Sequence, residues 1–477
     1  MSKKPSRLTR WLNPALSAAL YLLLFVIFYL VLAPFNVGLQ NTSRTAITTL
    51  FTFAISTLLF THVYGSFRVD LGRKRTLFAN MVCTVFFTDL ITLLELQIMN
   101  TNPQNPDANA RFVLFDRNLP LTLLAFLLQV LAIFLLIQLG FALYRRENPP
   151  RRSLIIAATQ EGAEHTASKL HAMGQDFSVT EAIRYDCPDW RETVLENEAV
   201  FLTDLPRERA TVMETFCYEQ GIPVYLQAEP YDVMTAAGEH TVLVDTLYLQ
   251  CGHREPSLWQ AGIKRLFDVA FSSFLLLVLL PLLGVITLAL ALSGNGSPFF
   301  TQERKTKDGR IFRIIKFRTM YKDTNPQYSM RKGDDRITPL GRFLRKYRFD
   351  ELPQLINIIH GDMSIVGPRP EMLSNVEEYV KIAPEFRYRE QMRAGITGLA
   401  QLEGCYDTSP KDKAILDLMY IENFSIGLDL KLILRTFTVF FRHDAEGFSE
   451  HADYAPPLRE ASRNHTKNQT NGGKENG

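Results

Sequence analysis

The chain has 477 residues, a net charge of +2 and 47% hydrophobic residues. That length suits roughly three domains at about 150 residues each, and the near-neutral balance gives no general case for a nucleic-acid partner. Its five cysteines (Cys83, Cys187, Cys217, Cys251, Cys405) are widely separated, with no CxxC or Cys/His spacing, so they indicate neither a zinc site nor a disulfide framework.

Four apolar stretches open the chain, at about 11–33, 45–63, 77–99 and 119–144. Each is near the ~20 residues that a helix needs to cross a bilayer. The first is too long for a signal-peptide core, and no small-residue cleavage site follows it. Residues 1–145 are therefore expected to form a membrane α-helical bundle of four spans. Lys3, Lys4, Arg7 and Arg10 precede the first span, Arg68, Arg73, Lys74 and Arg75 lie between the second and third, and Arg145, Arg146, Arg151 and Arg152 follow the fourth. The positive-inside rule places the N-terminus and everything after Tyr144 in the cytoplasm. Asp89 and Glu95 fall within the third span; Glu95 is expected to reach the interface and Asp89 to pack between helices against a polar partner.

Residues 146–255 change character. "SLIIAAT", "AVFLTDLP" and "IPVYLQ" read as buried strands, and "RERATVMETFCYEQG" as a helix between the last two. Alternating strand and helix predicts a parallel, Rossmann-like α/β domain. The turn Thr159-Gln160-Glu161-Gly162 lacks the G-x-G-x-x-G that brings backbone close to a pyrophosphate, which argues against dinucleotide binding. A structural or dimerisation role is the expectation.

A fifth apolar run, Lys264–Leu292, carries no charge from Val269 onward. Pro281 lies within it, and proline removes a backbone donor and clashes with the preceding turn. Lys264 and Arg265 precede the run, and Arg304, Lys305, Lys307 and Arg310 follow it. A re-entrant helix–break–helix keeps both basic ends in the cytoplasm; a full span does not. Beyond it, "SPFFTQERKTKDGRIFRIIKFRTM" interleaves aromatic and basic residues, among them Lys316. This is either an amphipathic strand with a solvated face or a surface that grips anionic headgroups and phosphates.

In "RKYRFDELPQLINIIHGDMSIVGPRP", residues 345–370, Leu352, Leu355, Ile356 and Ile359 recur at helical spacing and Gly361 supplies a stop. Pro353 suits a first turn, so a helix is expected to begin near Asp350. Asp350 and Glu351 are then either N-terminal acids of an ordinary helix or a working pair. Arg345 upstream and Arg369 in the rigid "GPRP" turn favour the second reading, in which a phosphate and a divalent cation meet two carboxylates. Neighbouring residues on a helix face different ways, so one acid would attack phosphorus while the other aligns it or holds the metal.

These phrases, with "KRLFD" at 264–268, "GITGLAQLEG" at 395–404 and "DLMYIENFSIGLDLKLILRT" at 417–436, resemble the bacterial sugar transferase family, the monotopic phosphoglycosyl transferases. The resemblance covers about 180 residues with motifs in order, and it makes residues 256–455 an α-rich monotopic catalytic domain with a re-entrant membrane helix at 264–292. It implies transfer of hexose-1-phosphate from a UDP-hexose to undecaprenyl phosphate with release of UMP, priming exopolysaccharide, capsule or O-antigen. Asp350 is then the nucleophile of a covalent phosphosugar intermediate, and Glu351 its partner; both are metal candidates, with Mg²⁺ the implied cofactor. Arg345, Arg369 and Lys316 bind phosphate, while Asp362 and Pro281 are further motif positions. Membrane lipids, a possible homodimer and the bacterial inner membrane, with catalysis on its cytoplasmic face, complete the implication. Two positions depart from the family's pattern: Thr306 replaces a usual Gly and Ala394 a usual Pro. A catalytically silent scaffold for polysaccharide assembly is the competing reading, and the intact Asp350-Glu351-Arg369 set argues against it. The polar tail, 456–477, is expected to be disordered.

Overall fold

Residues 7–40, 43–69, 74–99, 118–173, 176–252, 255–294, 296–321, 335–404, 408–438 and 457–459 are described by the structure, a computed structural model. The N-terminal helices are α1 (Arg7–Leu32), α2 (Arg44–Tyr64), α3 (Lys74–Met99) and α4 (Asn118–Glu147), all long and apolar enough to cross a membrane. Ser43 starts α2 by accepting a hydrogen bond from the Ala46 amide. Leu20, Leu24, Phe28, Phe53, Leu96 and Ile133 fill the bundle interior, whereas Leu22, Leu30, Ile55 and Leu58 face outward. Outward leucines on every side suit a lipid solvent rather than water. Asp89 has the expected polar partner: Gln129 Nε2 donates to its Oδ1 at 3.3 Å and to the Leu24 carbonyl at 3.0 Å.

The α/β region alternates β1 (Arg151–Ala157), α5 (Gln160–Met173), β2 (Phe177–Arg184), α6 (Trp190–Leu195), β3 (Ala199–Thr203), α7 (Arg207–Gln220) and β4 (Val224–Leu226). Its strands pair in parallel in the order β2-β1-β3-β4. Leu154–Ala157 is buried on both faces, as the central strand of a covered parallel sheet must be. Helix α8 (Pro230–Ala237) and the exposed hairpin β5 (Glu239–Leu243)–β6 (Thr246–Gln250) lead out of it.

The third region runs through α9 (Leu258–Leu292), the hairpin β7 (Phe299–Lys305)–β8 (Ile311–Phe317), α10 (Pro339–Lys346), α11 (Gln354–His360), β9 (Met363–Val366), α12 (Leu373–Ile382), β10 (Ala394–Thr397), α13 (Leu399–Glu403), α14 (Pro410–Glu422) and α15 (Ile426–Thr436). Strands β9 and β10 pair in parallel beneath a core of Phe312, Ile314, Leu355, Ile358, Met363, Tyr420 and Leu432. The short strand β11 (Leu458–Arg459), within the tail expected to be disordered, pairs in parallel with β2 at the edge of the α/β sheet; the rest of 456–477 lies outside the described residues.

Pro281 does not interrupt α9, contrary to the expected helix–break–helix: residues 258–292 form one helical run of 35 residues. Proline forfeits one intrahelical bond, and the flanking turns remain helical. Along this helix Lys264, Asp268, Ser272, Ile286 and Leu290 are buried, at spacings that keep them on one face. Lys264 and Asp268 bond β9 and its surroundings, and the last two pack with Phe317 and Leu344. Both ends of α9 therefore rest on the same domain. The opposite face, with Leu266, Phe274, Leu277, Leu280, Val285 and Leu288, is exposed and apolar throughout.

The three regions touch one another. Val233 of α8 packs with Ile415 and Leu418 of α14, and Lys411 pairs with Glu229 at 2.6 Å. Tyr64 donates to the Leu434 carbonyl at 2.9 Å, and Phe87 meets Phe437 edge to face. The seam lies at the C-terminal end of α2, next to the loop that carries Arg68.

Candidate active site

The acidic pair is one turn earlier than expected relative to the helix. Phe349–Glu351 form a 3₁₀ turn, and the α-helix starts only at Gln354, with Pro353 as its N-cap. Arg348 enters that turn in the left-handed region, at φ 55°, unusual for a side chain of this size. The helix dipole is thus not the main source of positive potential here; cationic side chains are. Gly361, at φ 99°, closes α11 as expected.

Asp350 and Glu351 are both buried. Glu351 Oε1 accepts from Arg369 Nη2 at 2.7 Å and from Lys316 Nζ at 3.2 Å, and Arg348 Nη1 stands 3.9 Å from Oε2. Burial alone would raise the Glu351 pKa. The charges of Arg369, Lys316 and Arg348 outweigh it and hold the carboxyl well below its usual range. Asp350 goes the other way: burial, then the adjacent Glu351 charge, raise its pKa against the pull of Lys316, Arg345 and Arg369. Burial lowers the Lys316 pKa, opposed by Glu351, and Glu351 raises that of Arg369. One acid is therefore held as an anion, while its neighbour is biased toward its protonated form. The Asp350 carboxylate makes no hydrogen bond or ion pair among the described residues. Arg345 lies close enough to bias Asp350 while its Nε donates to Thr319 Oγ1 at 2.7 Å.

Five of the seven residues singled out from sequence converge: Asp350, Glu351, Lys316, Arg345 and Arg369. Asp362 does not join them. Its carboxylate pairs with Arg310 at 3.1 Å and its carbonyl accepts from Thr306 Oγ1 at 2.8 Å, so it belongs to the turn between β7 and β8. Pro281 lies in the apolar part of α9, where it has no part in this cluster.

Sequence reasoning assigned no role to the polar residues beneath the site. Lys264 Nζ donates to the Val366 carbonyl at 3.1 Å and meets Asp429 Oδ2 at 2.5 Å, while the Tyr420 hydroxyl donates to Asp429 Oδ1 at 2.8 Å. Asp268 accepts from Ser364 Oγ at 2.8 Å and from the Ile365 amide at 3.1 Å. Arg265 donates to the carbonyls of Ile358 and Ile359, at 2.6 and 2.9 Å, capping α11. The apolar helix α9 thus holds both the helix that follows the acidic pair and the strand that leads to Arg369. The signal lay in "KRLFD": charged residues at the mouth of an apolar run, spaced to share a face.

The carboxylate oxygens still open to a divalent ion are those of Asp350 and Oε2 of Glu351, and no group of three His, Cys, Asp or Glu side chains converges among the described residues. Mg²⁺ is commonly held by one or two carboxylates plus substrate phosphates, and this donor set fits that arrangement. In the α/β region, a Cβ on Gly162 would meet the Asp204 carboxylate, so an anion already occupies the position at the start of α5 where a pyrophosphate would sit. Cys83, Cys187, Cys217 and Cys251 are free thiols, and Cys405 lies outside the described residues.

An apolar, one-sided helix tied to a buried acidic pair among cations defines a membrane-associated class of phosphate chemistry. Residues 259–443 match the family described as "Bacterial sugar transferase". A UDP-glucose:undecaprenyl-phosphate glucose-1-phosphate transferase of Caulobacter vibrioides is 39% identical over 180 residues, 36% of this chain and 67% of that protein. A UDP-N-acetylgalactosamine-undecaprenyl-phosphate N-acetylgalactosaminephosphotransferase of Aeromonas hydrophila is 35% identical over 226 residues, 46% of this chain and 52% of that protein. An exopolysaccharide production protein of Rhizobium leguminosarum is 39% identical over 185 residues, covering 92% of its length and 36% of this chain. The match spans only about half of the Aeromonas relative and 39% of a Klebsiella pneumoniae glucose-1-phosphate transferase. The chain belongs to the bacterial sugar transferase family, a family of enzymes.

Proposed function

We propose that this protein transfers hexose-1-phosphate from a UDP-sugar to undecaprenyl phosphate through a phosphosugar carried on Asp350. The observation that carries the reading is the division of labour in the acidic pair: Glu351 is engaged through Oε1 by Arg369 and Lys316, while the Asp350 carboxylate is without a partner among the described residues. Four cations (Lys316, Arg345, Arg348, Arg369) against two carboxylates leave a formal excess of two positive charges, which suits a diphosphate.

In the first step an Asp350 oxygen attacks the β-phosphorus. An acyl–O–P bond forms, the bridging P–O bond breaks, and UMP leaves with the electron pair. In the second step a phosphate oxygen of undecaprenyl phosphate attacks the same phosphorus. The Asp350–O–P bond then breaks, giving the lipid diphosphosugar and the free carboxylate. Arg369, Lys316 and Arg345 hold phosphoryl oxygens in line, and Glu351 fixes the first two. The raised pKa of Asp350 makes it the more basic, and so the better, nucleophile once ionised. Mg²⁺, bound by Asp350 or Glu351 Oε2 together with the donor's phosphates, would neutralise diphosphate charge. Because the site is already cationic, the ion is expected to enter with the nucleotide.

The lipid acceptor requires a site at the membrane surface. Helix α9, unbroken at Pro281, supports a monotopic placement along the membrane surface, since both its ends rest on one domain and its outer face is apolar. At about 1.5 Å per residue its 35 residues reach ~52 Å, well beyond the ~30 Å of a hydrocarbon core. The basic loops support a catalytic domain on the cytoplasmic face of the bacterial inner membrane.

The test is UMP release by the full chain in nanodiscs with undecaprenyl phosphate, Mg²⁺ and single UDP-sugars (glucose, galactose, N-acetylhexosamines). Release with one donor supports the reading. Silence with all of them, from folded protein, refutes it.

A further inference from the structure

The turn Gly367-Pro368-Arg369-Pro370 presents Arg369 to Glu351, and four of its backbone groups are held. The Gly367 amide donates to the Thr397 carbonyl at 2.9 Å, and the Gly395 amide to the Pro368 carbonyl at 2.9 Å. Arg304 Nη1 donates to the Pro370 carbonyl at 3.3 Å. The carbonyl of Arg369 itself is held by Arg389, whose Nη2 donates to it at 2.8 Å.

Arg389 lies in the 3₁₀ segment Pro384–Gln391 and is only 7% exposed. The same Nη2 stands 2.7 Å from Asp417 Oδ2, and the guanidinium lies over the Phe386 ring at 4.4 Å. Asp417 is 1% exposed, one helical turn before Tyr420 on the inner face of α14. From that face Tyr420 also donates to the Val366 carbonyl at 3.3 Å, and Lys413 stands 3.8 Å from Glu371. Three residues of α14, at i, i+4 and i+7, thus address the strand and turn from 366 to 371.

Stability alone is a poor reason for this arrangement. Burying an ion pair costs about as much desolvation as the attraction returns, and apolar replacements are often neutral or better. A buried guanidinium does supply a donor of fixed direction. Prolines on either side of Arg369 leave its carbonyl as one of few handles on that turn.

We propose that Arg389 and Asp417 are positioning residues for Arg369: Asp417 orients the Arg389 guanidinium, which pins the Arg369 carbonyl and so sets where Arg369 grips phosphate. Neither need touch the substrate. The proposal rests on Arg369 as a phosphate ligand in the transfer read above. Its test reads binding as well as turnover, so the two can fail separately.

The probe is UDP, with calorimetric affinity measured on the full chain in nanodiscs, alongside UMP release from the active UDP-sugar. Asp417→Asn keeps the shape and removes the charge, and should weaken UDP about tenfold, the scale of one charge-assisted bond. kcat/KM should fall by about 10- to 100-fold, as expected for a displaced group. In an Arg369→Ala background the same substitution should change neither quantity. Arg389→Lys, which keeps the charge and loses the fork, should behave as Asp417→Asn does and carries the test if that variant does not fold. Equal losses with and without Arg369 would overturn the proposal, because a merely structural pair acts regardless of Arg369. Wild-type protein that does not bind UDP would overturn it too. Protein that binds UDP but never turns over refutes the transfer reaction while leaving the positioning test intact.

Discussion

Thr306→Gly restores the residue usual for the family at one of the two departing positions, yet it is expected to damage this protein. Thr306 and Ala394 are both buried, and they touch: the Ala394 amide donates to Thr306 Oγ1 at 3.1 Å, and that hydroxyl donates to the Asp362 carbonyl at 2.8 Å. Glycine leaves a buried N–H and a carbonyl without partners, at about 1–3 kcal/mol. The lost methyl adds about 0.8 kcal/mol, and glycine's chain freedom about 0.5–1 kcal/mol. A total of about 2–5 kcal/mol lowers the melting temperature of a domain this size by roughly 5–20 °C. Proline at 394 has no N–H to give, so Ala394→Pro strands the hydroxyl as an acceptor. Combining the two removes donor and acceptor together, and the double variant should be more stable than the sum of the singles by about 1–2 kcal/mol, a typical coupling for groups in contact. Thermal unfolding of the four proteins in one detergent decides it. Strict additivity would refute the reasoning, as would a Thr306→Gly variant as stable as the parent.

Asp350→Asn should abolish UMP release without altering membrane insertion or the melting temperature by more than a few degrees; appreciable turnover would remove Asp350 as nucleophile. Because its pKa is raised and attack needs the anion, kcat/KM should fall as pH drops through that raised value, and this limb should lie at higher pH than an ordinary Asp would give. Glu351 has the opposite sign. Its folded pKa is lowered, so the stability it contributes is full above the ordinary carboxylate range, near about 4.3, and is lost as pH falls through the folded value. The melting-temperature gap between wild type and Glu351→Gln should therefore close in acid, and a gap independent of pH would contradict the pairing. Single cysteines from Ser257→Cys and Ser297→Cys, flanking α9, should label from the same side of intact membranes. Labelling from opposite sides would make α9 a full span.

Much of the site was legible because its chemistry is local in sequence. Asp350, Glu351 and the turn around Arg369 sit within twenty residues, bracketed by prolines and glycines that announce turns. The start of the helix was misplaced because Arg348 adopts a left-handed conformation that nothing in its neighbours requires. Asp362 lies apart from the cluster: a charged residue in a motif can serve a turn, and its partner, Arg310, lies 52 positions away. The scaffold beneath the site was illegible for a related reason. Lys264 meets Asp429, and Arg389 meets Asp417, across separations that only the tertiary fold brings together. The α/β region was easier, since a continuous apolar strand such as Leu154–Ala157 has few other places to go.

Glu351 also acts as a resident rival to any incoming anion. Arg369 and Lys316 each already give Glu351 one donor, so a visitor shares or takes over cations that a carboxylate is using. A lone inorganic phosphate gains little from that exchange, whereas a diphosphate reaching Arg345 as well gains a contact that Glu351 does not contest. If these cations hold phosphate as proposed, the pair of salt bridges would act as a filter on ligand length, discriminating against small anions before any sugar is recognised.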